Sequence, residues 1–396
     1  MSASLSRVLI AQTTYLGDVL LALPLALRMR ELSPGTSVDL LVKPEFVPLV
    51  RACPAVRRVH VMDKHHGHPT VSGIRSLART LRNERYACAI TLPGSLRTAL
   101  TVMLAGIPRR IGWDPGSLLT PQVRAVKYPS ATRQLPTVRG ILAFESLYRW
   151  STPVRTLLPA LYTDVLTQRI GTHRAEQALE ALALFGMSAG AVPPAPWLLV
   201  PDAAKREVGQ CLPGITDGWV VIAPGATQPT RRWPREHVQE LVRQLASNGH
   251  QVVIIGTEED REIADLISAG APRERVHSLA GRTSVLAACE IIRRAAVVVA
   301  NDSAPVHMAS AMGTPVIALF GPTLSSFGFA PLAPRSIVKE HSTLACRPCT
   351  VYGSPECPTG TLECLRSISP REVLAAIQAI LDGPGERPAG DPEGSR

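Results

Sequence analysis

Short apolar runs alternate along this chain with stretches of helical periodicity. In the first half, "RVLIAQ", "VDLLV", "RVHVM" and "ACAITL" read as strands, and 18–32, 44–52, 72–85 and 95–105 as helices. Strands apolar at every position are buried on both faces, and strands spaced by helices form βαβ units in a parallel sheet. Residues 113–135 read as irregular, and 138–150 and 172–186 as helical. "VPPAPWLLVP" at 192–201 is a Pro-rich connector. A second series follows, with strands at "WVVIAPGA", "QVVIIG", "RVHSLAG", "AVVVAND" and "PVIALFGP" and helices at 235–247, 258–270, 284–294, 303–312 and 370–382. The pattern predicts an α/β protein with two doubly wound, Rossmann-like domains, 1–170 and 201–385. A linker region, 171–200, joins them, and the Gly/Pro-rich tail 386–396 is expected to be disordered.

Composition narrows the function. The chain has 396 residues, 45% of them hydrophobic, and a formal charge of +10. A basic surplus points to anionic partners. The Arg and Lys residues are spread along the chain, with no basic tail and no RNA-binding aromatics, so no nucleic-acid partner is expected. No apolar run reaches the ~18 residues of a membrane span, and the N-terminus lacks a signal-peptide layout. A cytoplasmic protein is expected. Neither G-x-G-x-x-G nor G-x-x-x-x-G-K-[ST] occurs, and no nucleophile elbow supports hydrolase chemistry.

Ligands of doubly wound folds bind beyond the carboxyl ends of the strands, so polar residues just past each strand are the candidates. In "TTYLGD", Thr13, Thr14 and Gly17 lead to Asp18 at a helix start. There an ionised carboxylate is favoured, either as a cap or as a chemical group. In "APGATQPTRRWP", small residues and Arg231 suit an anion; an exposed basic turn is the competing reading. In "NDSAPVH", Asp302 follows a buried strand, while Ser303 and Ala304 open a helix that carries His307 one turn on. That helix start suits phosphate, and Asp302 suits sugar hydroxyls. In "LPGSLRTAL", Ser95 and Arg97 open a helix, where a cation opposes the dipole and so points to an anion contact.

Together with "GTEEDREIA" and "GRTSVLAACEIIRRAAVVVANDSAPVHMASAMGTPVIALFGPT", these stretches resemble glycosyltransferase family 9, the ADP-heptose:lipopolysaccharide heptosyltransferases. The block "LPGSLRTAL…AGIPRRIGW" looks most like the heptosyltransferase II branch. The resemblance implies a GT-B fold with an N-terminal acceptor domain and a C-terminal nucleotide-sugar domain facing a cleft. It implies inverting, metal-independent transfer of heptose from ADP-L-glycero-D-manno-heptose to an anionic glycolipid, the lipopolysaccharide inner core, at the inner face of the cytoplasmic membrane. Asp18 matches the catalytic base. Thr227 and Arg231 match donor-phosphate contacts, Glu258 a ribose contact, Thr283 an adenosine-side residue, and Asp302, Ser303, Ala304 and His307 the sugar and pyrophosphate loop. Thr13, Thr14, Gly17, Ser95 and Arg97 fall to the acceptor. Three positions depart from the pattern: Arg231 stands where Lys is usual, Ala304 where Gly is usual, and a bulky Tyr15 where small residues are common. The same fold also fits a family-9-like transferase with another nucleotide sugar or a protein acceptor, and a non-catalytic nucleotide-binding protein.

The late cysteines Cys346, Cys349, Cys357 and Cys364 are spaced C-x2-C-x7-C-x6-C. Four thiols in this order suit a structural zinc or iron ion, with reduced thiols or disulfides as competing readings. The cysteine cluster resembles that of the family's autotransporter branch, which carries a Cys-bound iron. No cofactor is expected for catalysis.

Overall fold

The structure, a computed structural model, describes residues 6–63, 71–92, 96–114, 159–169 and 171–383. Two compact units divide the chain: Met1–Pro193 with Trp197–Leu199, and Pro194–Pro196 with Val200–Arg396.

The first unit is built on β1 (Arg7–Ala11), β2 (Ser37–Val42), β3 (Val56–Val61), β4 (Cys88–Thr91), β5 (Arg109–Asp114) and β6 (Asp164–Thr167). They form one sheet in the order β3-β2-β1-β4-β5-β6, with every pairing parallel. This doubly wound order reverses direction between β1 and β4, which opens a crevice at their carboxyl ends. Helices α1 (Leu16–Leu32), α2 (Val47–Arg51), α3 (Val71–Asn83), α4 (Leu96–Leu104) and α5 (Arg174–Leu179) cover the sheet. Helix α1 is buried at every position from Val19 to Ala26, so it is a core helix rather than an amphipathic one.

The second unit repeats the plan with β7 (Val220–Ala223), β8 (Val252–Ile254), β9 (Val276–Ser278), β10 (Val297–Asn301), β11 (Val316–Phe320) and β12 (Ile337–Glu340). The order is β12-β11-β10-β7-β8-β9, again all parallel, so this crevice lies between β7 and β10. Helices α6 (Asp202–Cys211), α7 (Arg235–Ser247), α8 (Arg261–Ser268), α9 (Val285–Arg293), α10 (Ala304–Met312), α11 (Glu363–Arg366) and α12 (Pro370–Asp382) complete it. The apolar face of α12 (Val373, Ala376, Ile377, Ile380) closes a core with Trp233, Leu241, Val242 and Leu245.

Several elements differ from the sequence pattern. Trp113 and Asp114 belong to β5 rather than to irregular chain, and the sequence pattern does not mark β6, β12, α6 and α11. Strands β6 and β12 are only partly buried, so their residues lack the solid apolar runs of central strands. The helix expected at 138–150 and the tail at 386–396 lie outside the described residues. Among the described residues, no helix is long and apolar enough to cross a membrane.

Candidate active site

Asp18 stands at the β1/β4 crevice of the first unit. It is not the cap of α1. Tyr15 holds that position in an extended conformation, without a side-chain cap bond, and Leu16, Gly17 and Asp18 form the first turn. Gly17 therefore lies within a helical turn. Three residues into the helix, the Asp18 carboxylate still meets the positive end of the dipole. Thr14 donates its hydroxyl proton to Asp18 Oδ2 at 2.6 Å. Thr13 faces the other way: it is buried, and its hydroxyl bonds that of Thr98 at 2.8 Å. That contact ties the loop after β1 to α4, across the reversal point of the sheet. Arg97 is the second residue of α4 and half-buried, so a cation does occupy a helix start. Ser95 lies outside the described residues.

The second crevice collects the donor candidates. Residues 224–232, after β7, end in a 3-10 turn at Pro229–Arg231. Asn301, the last residue of β10, holds this loop: its amide donates to Pro224 O at 2.7 Å, and its carbonyl accepts from Trp233 N–H at 3.0 Å. Next in sequence, Asp302 is 5% exposed. Its Oδ1 pairs with Arg231 Nη2 at 2.9 Å, and its Oδ2 accepts from the Thr323 hydroxyl at 2.6 Å. Burial pushes the Asp302 carboxyl above its ordinary value, while Arg231 and the Thr323 hydroxyl oppose that rise. Both oxygens are thus engaged within the protein.

Ser303 holds the N-cap position of α10 without a side-chain cap bond, its hydroxyl donating to Asn301 O at 3.1 Å, and Ala304 is the first residue of the helix. His307 is buried on that helix, its ring 6.1 Å from Phe329 and tilted to it. Thr227 is exposed on the loop after β7. Glu258 is exposed too and pairs with Arg261 at 2.6 Å. Its turn lies against Gly281, whose N–H bonds Gly256 O at 3.0 Å, so Glu258 and the Thr283 loop are neighbours. Thr323 and Asn301 escaped the sequence reading. Both lie at the carboxyl end of a buried strand, and that signal alone could have flagged them.

The cysteine segment does not form the expected metal centre. Among the described residues, no group of three or more His, Cys, Asp or Glu side chains could hold a metal ion. All four cysteines are free thiols, and two of them bond local partners. Cys349 Sγ donates to Cys346 O at 2.8 Å, and Cys357 Sγ accepts from Leu362 N–H at 3.4 Å. Burial, with Cys346, Cys364 and Cys357 nearby, pushes the Cys349 thiol up to about 12. A tetrad needs four sulfurs aimed at one point, and two of these sulfurs turn aside to local partners.

Residues 74–359 match the family model described as glycosyltransferase family 9 (heptosyltransferase). Over 383 residues the chain is 28% identical to lipopolysaccharide heptosyltransferase 2 of Escherichia coli strain K12, covering 95% of this chain and 98% of that protein. It is 29% identical over 325 residues to lipooligosaccharide heptosyltransferase 2 of Haemophilus influenzae, covering 80% of this chain and 84% of that one. A solved structure described as E. coli ADP-heptose lps heptosyltransferase II has a TM-score of 0.69 at 24% identity, covering 95% of this chain and 98% of that chain. That likeness shows a shared fold.

Proposed function

Because this chain belongs to glycosyltransferase family 9, we propose that it transfers heptose from ADP-L-glycero-D-manno-heptose to the inner core of lipopolysaccharide. The reaction is proposed to invert the anomeric centre and to run without a metal ion. Asp18 is the general base that takes the proton from the acceptor hydroxyl as the new glycosidic bond forms. Its place in the first turn of α1 and the Thr14 hydroxyl both favour the ionised form that a base requires. ADP leaves with its bond electrons. Arg231, Thr227 and the first-turn amides of α10 meet the charge that gathers on its phosphates.

Asp302 orients Arg231, and Ser303, Ala304 and His307 complete the wall of the sugar and pyrophosphate subsite. Glu258 takes the ribose hydroxyls, with Thr283 beside the adenosine. On the acceptor side, Thr13 fixes the loop to α4, and Thr14, Gly17 and Arg97, with Ser95 by the family resemblance, are assigned to binding an anionic glycolipid. That substrate is anchored in a bilayer, so the enzyme is placed at the inner face of the cytoplasmic membrane as a peripheral protein. The charge of +10 supports contact with anionic lipid there.

The observation that carries this reading is the Arg231–Asp302–Thr323 constellation at the crevice of the second sheet. It is tested by incubating the full chain with ADP-heptose and a heptose-deficient lipopolysaccharide core. Wild-type protein should transfer one heptose by mass. Asp18→Asn should reduce transfer at least hundredfold while leaving ADP affinity within about twofold. Equal turnover in both would end the assignment.

A further inference from the structure

The cysteine-bearing segment, left over by the proposed chemistry, is tied to the donor crevice at several points. Arg347, with only 2% of its side chain exposed, donates to Thr323 O at 2.6 Å and pairs with Glu340 at 3.0 Å. Cys349 N–H bonds Pro322 O at 3.0 Å. Thr323 is the residue that donates to Asp302. Five residues further on, the segment reaches Arg231 and its turn. Ser354 N–H bonds the Thr230 hydroxyl at 2.9 Å, and Arg231 Nη1 donates to Tyr352 O at 3.3 Å.

Between these contacts sits Gly353, at φ +85°. A Cβ there would stand 2.7 Å from Arg231 Cδ and 2.8 Å from Gln228 Cβ. Neither atom is the free end of a side chain, so the turn at 228–231 would have to move. Only glycine lets the backbone of 352–354 seat flat on the Arg231 stem.

We propose that Gly353 is a positioning residue for the donor arginine. By lacking a Cβ, it lets the cysteine-bearing strap press Arg231 into the orientation that meets both Asp302 and the donor diphosphate. The inference rests on the reading of Arg231 as a donor-phosphate contact. A guanidinium gains its strength on phosphate from paired, well-aimed N–H groups, so a shift of the stem costs affinity rather than charge.

The test titrates ADP into full-length protein by calorimetry. Gly353→Ala should weaken ADP roughly tenfold, about the value of one charge-assisted hydrogen bond. Gly360→Ala is the control: Gly360 has φ +71° in the same segment, with nothing within 4 Å of its would-be Cβ. It carries the same backbone penalty and should leave ADP affinity unchanged. Thr230→Val loosens the strap without adding an atom, and should weaken ADP several-fold even if the alanine variant folds poorly. In an Arg231→Ala background, neither Gly353→Ala nor Thr230→Val should weaken ADP further. A purely structural role would lower affinity equally in both backgrounds, and that result overturns the proposal. Wild-type ADP affinity in Gly353→Ala, with Arg231→Ala impaired, overturns it alone. Wild-type affinity in Arg231→Ala overturns the donor assignment and this inference together.

Discussion

Arg231 Nη2 lies 2.9 Å from Asp302 Oδ1, an ion pair that joins the loop after β7 to the loop after β10. The two loops flank the point where the second sheet reverses direction, where this fold places its ligands. The side chains are 18% and 7% exposed, so water screens the pair only weakly.

Removing one partner leaves the other stranded. Arg231→Ala should destabilise the second unit by about 3 kcal/mol, because a buried carboxylate loses its counter-charge. The double variant Arg231→Ala with Asp302→Asn should lose less than Arg231→Ala alone. Urea unfolding of the four proteins in this cycle measures the coupling.

The pair also has a pH signature. Burial holds the Asp302 carboxyl above its unfolded value of 3.8. The folded state therefore keeps this proton to higher pH than the unfolded chain does. The contribution of Asp302 to stability is greatest below the unfolded value and falls as pH rises through the raised folded one. The stability of wild type relative to Asp302→Asn should decline over that window and level off above it. Urea midpoints of the two proteins from pH 3.5 to 7.5 test the sign.

Thr14→Val removes the hydroxyl that bonds Asp18 and keeps the shape of the side chain. A hydrogen bond to a charged group is worth about 1.5–3 kcal/mol, so kcat should fall about tenfold or more. ADP affinity should not change, since the lost contact belongs to the first unit. Steady-state rates and ADP titration, run on the same preparation, separate the two.

Asn301 satisfies two backbone groups of the loop after β7 at once. Asn301→Ala should cost about 2 kcal/mol and weaken ADP, because the loop loses both anchors. Asn301→Asp keeps the acceptor for Trp233 N–H but loses the donor to Pro224, so its loss should be of similar size. Thermal unfolding with and without ADP checks both.

The sequence alone made much of this architecture legible, because buried parallel strands are apolar at every position. β7 shows that pattern throughout, β1 after Arg7 and β10 up to Asn301, and the rule that ligands gather past strand ends led to Asp18, Arg231 and Asp302. The edge strands β6 and β12 stayed hidden, since a half-buried strand mixes polar and apolar residues. The Arg231–Asp302 pair was out of reach as well: 71 positions separate the two residues, and only the crossover connections bring their loops together. The cysteines misled for a related reason. Spacing along the chain says that four thiols lie near one another, but not that their sulfurs converge.

Tyr15 holds the cap position of α1 without a side-chain bond and is 64% exposed, while the helix behind it is buried from Val19 to Ala26. Beside it, the ammonium of Lys43 lies 5.8 Å from the Tyr15 ring centre. The fold has a stake in the helix that carries Asp18 and almost none in the side chain that precedes it. Variation at position 15 is therefore cheap, whereas variation within the buried helix behind it is not. Position 15 can thus change size and polarity at the mouth of the β1 loop while the helix that carries Asp18 keeps its place.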